Sequence, residues 1–162
     1  MTQPTINDLA AALDDADRVD VVLGAAWDAF DVVGRLADAL ALHESSDEVQ
    51  AMLVGIKCAD GRRLLPPPEH GHPLETGPLG PGRAELEPYG ALLRHVEAAL
   101  RRLVPVPEWA DNAEQLVLVA DHAAAAAELL MTVRQDGGRA SCPSRSASST
   151  TSSTTASNGQ RP

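Results

Sequence analysis

The sequence predicts an all-α fold: an antiparallel bundle of four to five helices, a long Pro/Gly loop at about residues 61–82, and a disordered C-terminal tail. Three observations predict it. Apolar residues recur at helical spacing over several segments. No segment alternates apolar and polar residues over the length of a useful strand. The span Val19–His43 is apolar around most of a helical circumference. At about 100° per residue, Asp20, Gly24, Asp28, Asp31, Arg35 and Asp38 fall in one strip about 80° wide. A helix greasy nearly all round is a buried one, so this segment is expected at the centre, covered by its neighbours or by a second chain.

Taken in chain order, Thr5 with Asp8 three residues later resembles a capping box and starts a first helix from about Ile6 to Asp14. Four Asp within Asp14–Asp20 repel one another but suit the first turn of a new helix, so a break is expected before the second helix, Val19–His43. Ser45 with Glu48 forms another capping box and starts a third, whose Val49, Met52, Leu53 and Ile56 share one face. Gly61 fits the left-handed position after its last turn. The Pro- and Gly-rich stretch to Gly82 excludes a regular interior.

Pro88, a first-turn proline, opens a fourth helix to Leu103 with an ordinary stripe of Tyr89, Leu92, Leu93, Val96, Leu100 and Leu103. Asp111 with Glu114 is expected to cap a fifth, ending near Arg134, with a narrow polar strip of Glu114, Asp121, Glu128 and Thr132. The second and fifth helices are expected to be the most buried. The helical bundle is assigned to residues 1–135 and the tail to 136–162. Between Ser141 and Pro162, 12 of 22 residues are Ser or Thr with no bulky apolar side chain. Such a segment cannot offset its ordering entropy.

The net charge of −10 is concentrated early: residues 1–61 hold 12 Asp and Glu against Arg18, Arg35 and Lys57. An acidic body without a basic stripe repels phosphate backbones, so no nucleic-acid partner is expected. With only Trp27, Phe30, Tyr89 and Trp109 as aromatics, the core has to be built from Leu, Val and Ala. Alanine forms helices well but buries little area. Close helix approach, and self-association or a partner, are the means of making up the difference. Cys58 and Cys142 make neither a disulfide framework nor a metal pair. No signal-peptide pattern and no uninterrupted apolar run of membrane-spanning length appears, so a cytoplasmic protein without a membrane partner is expected.

Candidate chemistry is sparse. Glu69, His70 and His72 offer metal-ligating atoms, but too few for a site and on a loop without orienting neighbours. No resident metal or cofactor is expected. His122 falls at the edge of the apolar face of the fifth helix, about 100° from its neighbour Asp121, which makes no dyad. His43 complements a helix dipole, and His95 lies on a polar flank. The inward Glu and Glu-x-x-His pattern of di-iron bundles is missing, as are nucleophile and phosphate-loop motifs, so no catalytic residue is assigned.

The expected function is therefore a non-enzymatic acidic helical bundle acting through protein–protein contact, with self-association as one form. The candidate partner-binding residues are Asp28, Asp31 and Asp38 of the acidic strip, with Trp27 and Phe30 as aromatic anchors. Two alternatives stand beside it: a small enzyme or ligand-binding or metal-binding bundle using His122, His43 or the His70/His72 loop, and an acidic DNA mimic or anti-regulator.

Overall fold

The computed structural model describes residues 5–15, 18–43, 47–68 and 85–133. Among them are five α-helices: α1 (Ile6–Leu13), α2 (Val19–Ala41), α3 (Glu48–Leu64), α4 (Glu87–Leu103) and α5 (Ala113–Thr132). A short 3-10 segment, Pro107–Asn112, leads into α5, and no strand occurs among these residues. The tail and most of the Pro/Gly loop, with Glu69, His70 and His72, lie outside the described residues.

The four long helices form a square. α2 and α5 sit at opposite corners, and each packs against both α3 and α4, while α1 lies across α2 and α4. Residues facing one another fix the directions. Phe30 meets Gly61, Gly34 meets Cys58 and Ala37 meets Gly55, so α2 and α3 run antiparallel. Arg101 with Asp121, and Gly90 with Met131, do the same for α4 and α5.

Local chemistry explains the ends. The Thr5 hydroxyl accepts from the Asp8 amide, and the Asp8 carboxylate accepts from the Thr5 amide at 2.7 Å, completing the capping box. The chain breaks between α1 and α2 as the Asp run predicts. Arg102 on α4 then takes the orphan carbonyl of Leu13 at 2.7 Å, which ties the end of α1 to the bundle.

The core is a single cluster of Leu, Val and Ala around Phe30, which is 1% exposed. The breadth of apolar surface on α2 is covered by α1, α3 and α4 of the same chain. On α5 the wide apolar face is largely alanine, with Ala120, Ala123, Ala126 and Ala127 all buried.

Three local expectations are corrected. α3 starts at Glu48, with Asp47 as its cap accepting from the Gln50 amide at 3.2 Å; Ser45 lies outside the described residues. Gly61 does not end α3. It sits inside the helix, buried against the Phe30 ring, and the helix runs on to Leu64 until Pro66–Pro68 stop it. The irregular stretch thus begins at Leu65 rather than 61. Asp111 caps nothing: Pro107 starts a 3-10 turn that feeds directly into α5, and Asn112 at the junction makes no side-chain cap hydrogen bond.

Candidate functional site

α3 carries two apolar faces of different kinds. The inward face is made of small side chains, Ala51, Val54, Cys58 and Gly61, all buried, with Gly55 beside them against Ala37. Small residues let α2 approach closely, and that close approach leaves no room for a larger side chain. The larger apolar residues Met52, Leu53 and Ile56 sit on the opposite side, together with Val49. Val49 (66% exposed), Met52 (53%), Leu53 (38%) and Ile56 (51%) form a solvent-facing stripe at the i, i+3, i+4, i+7 spacing of one helix face. Leu42, in the turn that follows α2, adds one more exposed leucine. Single exposed apolar residues are normal; four contiguous on one helix face make an apolar patch.

The sequence places these four residues on one face, but periodicity alone does not say which way that face points. The signal available in the sequence was the second set, Ala51, Gly55, Cys58 and Gly61, which forms a small-residue stripe on the other side of the same helix.

The acidic strip on α2 is less uniform than its spacing suggests. Asp31 is a bridge between two cations. Arg35 Nε donates to Asp31 Oδ2 at 3.1 Å, and Arg62 of α3 pairs with Asp31 Oδ1. Arg35 Nη2 also lies 3.1 Å from Asp31, but it is turned off the hydrogen-bond line and sealed from water. The Arg62 guanidinium stands 5.2 Å from the centre of the Trp27 ring, so Trp27 is half-buried beneath a cation that Asp31 holds in place. Asp38 is exposed, close to Gly55, and Asp28 is partly buried. Phe30 is a core residue and offers no surface to a partner.

His95 Nε2 lies 3.0 Å from Asp14 Oδ1, joining α4 to the end of α1, a pairing across 81 residues that no local pattern reveals. His43 is exposed after α2. His122 is half-buried on α5 with no carboxylate bonded to it. No group of three or more His, Cys, Asp or Glu gathers among the described residues. Cys58 is buried, and desolvation, partly opposed by the Arg62 charge, pushes its thiol up to about 12. It is a neutral core side chain rather than a nucleophile.

Two open cavities meet at Trp109. One, of about 420 Å³, is walled by Leu23, Leu64, Leu65, Leu116 and Val119 together with Arg63, Asn112 and Gln115. The other, of about 680 Å³, is bordered by Asp20, Gly24 and Pro66–Pro68. The Gln115 amide donates to the Leu64 carbonyl, fixing one wall of the first. Asp20, the carboxylate in the second, is paired with Arg18 at 2.9 Å. Neither cavity brings an acid and a base together in a catalytic arrangement.

The segment Trp109–Thr132 is long and apolar enough to cross a membrane by length and composition. In the bundle α5 packs against α3 and α4, with Leu118 left 48% exposed. Compared with protein-family models, curated proteins and solved structures, the chain matches none.

Proposed function

We propose that this chain works by protein–protein contact as a non-enzymatic acidic helical bundle, and that the outward stripe of α3 is its contact surface. One observation carries the reading: Val49, Met52, Leu53 and Ile56 lie in water in a row while a complete core exists without them. Exposing large apolar side chains beside one another costs solubility, and a partner surface relieves that cost. The acidic strip supports a docking role less well, because Asp31 is already engaged by Arg35 and Arg62. That engagement also leaves the DNA-mimic alternative without a row of free carboxylates.

The test is a photo-crosslinking amino acid placed at Met52, with the same group at exposed Glu128 on α5 as control, in the full chain inside its native cell. A discrete adduct from position 52 and none from 128 is the expected result. No adduct from 52, or equal smears from both positions, would reject the surface.

A further inference from the structure

We infer that the occupant of the α3 stripe is a second copy of this chain, docked antiparallel about a two-fold axis crossing α3 between Met52 and Leu53. This rests on the contact reading above and names its partner. The first support is symmetry within the stripe. Val49 and Ile56 lie equally far on either side of the Met52–Leu53 midpoint, and both are β-branched. An antiparallel two-fold through that midpoint sets Val49 over Ile56 of the second copy at both ends, with the more adaptable Met52 and Leu53 filling the middle. That is the self-complementarity an isologous interface requires.

Area is the second support. The four fractional exposures correspond to about 350 Å² in water, close to the roughly 450 Å² of apolar area that each side of a standard interface buries.

Charge is the third. Two copies at net −10 repel unless they meet over a face free of excess acid. The stripe contains no carboxylate, and α3 as a whole sets Lys57, Arg62 and Arg63 against Glu48 and Asp60. α2 and α5 carry a clear acid excess, with Arg35 their only Lys or Arg. An apolar contact between two acidic bodies should tighten as salt screens their repulsion. Docking of an oppositely charged partner would loosen.

The test is sedimentation equilibrium of the full chain at low and high salt. A dimer that strengthens with salt is expected, and Met52→Asp should raise its dissociation constant at least about 100-fold. Met52 is outside the core, so circular dichroism should show the helices intact; Ile56→Asp provides a second such variant. Orientation is read in a Cys142→Ser background. Val49→Cys with Ile56→Cys together should oxidise to a covalent dimer, while neither alone should. Cross-linking of Val49→Cys alone would mean a parallel pair and overturn the arrangement. A monomeric mass at every concentration overturns the second copy as occupant. If position 52 then crosslinks a different protein, the contact surface stands and only its occupant is wrong. If it crosslinks nothing, both readings fall.

Discussion

Replacing Gly61 by alanine tests the central packing argument, because two opposing effects of known size meet at one atom. In a helix interior, alanine is about 1 kcal/mol more favourable than glycine. At Gly61, however, a new Cβ would lie 2.6 Å from Phe30 Cζ, 2.8 Å from Cε1 and 3.0 Å from Cε2. Carbon atoms settle at about 3.5–4.0 Å, so roughly 1 Å of separation has to be found. Phe30 cannot supply it by swinging into water, because it is buried at the centre of the core. Overpacking of this kind costs about 1–3 kcal/mol, and an overlap with three ring atoms belongs at the upper end.

The net expectation for Gly61→Ala is a loss of about 2 kcal/mol, read as a fall of roughly 1.3 M in the urea midpoint with an unchanged slope. Gly34→Ala is the control. It is also a glycine inside a helix, but its Cβ would meet Cys58 Cβ at 3.7 Å, an ordinary contact. That variant should gain about 0.5–1 kcal/mol. Phe30→Leu should recover part of the loss in the Gly61→Ala background while being destabilising alone. A Gly61→Ala chain as stable as the parent would refute the claim that α2 and α3 are held together by a steric fit at this point.

Three further outcomes are expected. Cys58 should resist iodoacetamide until the chain unfolds; because burial raises its thiol from 9.0 to about 12, its contribution to stability is fully present below the unfolded value and is lost as pH rises from about 9 towards 12. Its share of that alkaline slope, at most about 1.4 kcal/mol per pH unit, should be missing in Cys58→Ala, and parallel melting curves for the two proteins would contradict it. Asp31→Asn should cost about 1 kcal/mol, since Arg35 and Arg62 are partly exposed and water replaces some of the lost pairing, and should change Trp27 emission as Arg62 loosens; unchanged fluorescence would deny the Asp31–Arg62–Trp27 chain. Thr5→Ala should speed amide exchange at Asp8 and Leu9. The Thr5 amide and hydroxyl hold the Asp8 carboxyl below its ordinary 3.8, so the box stabilises α1 above that pH and is lost as pH falls through the lower folded value; exchange insensitive to both changes would rule the box out.

What could be read from the sequence was whatever depends on neighbours along the chain. The Thr5–Asp8 box, the break before Val19 and the proline opening of α4 are local chemistry, and the helices fall within a residue or two of where those residues put them. What could not be read depends on partners brought from far away. Asp31 shares its strip with Asp28 and Asp38, yet Arg62, 31 residues on, makes it a bridge. Gly61 looks like a helix terminator until Phe30 is placed against it. For the candidate site, the sequence grouped the four residues on one face of α3 but named Asp28, Asp31, Asp38, Trp27 and Phe30 as the contact residues instead. It could not say that the face points outward, because hydropathy ranks side chains by greasiness and not by the space the neighbouring helix leaves them.

The same space connects the interior to the surface. A core whose α5 contribution is mostly alanine, and whose α3 contribution is alanine, valine, cysteine and glycine, buries little area per residue. Its helices gain by approaching closely, and that close approach excludes the large side chains of α3 from the interior. Those side chains still favour burial, so a second copy would supply outside the bundle what the small-residue core cannot supply inside. A ligand that binds only the folded chain raises its stability by mass action, and a second copy is such a ligand. The melting temperature should therefore climb with chain concentration in the parent protein and stay flat in Met52→Asp. A flat dependence in both would show that the alanine-rich core is sufficient by itself, and would separate the exposed stripe from the stability of the fold.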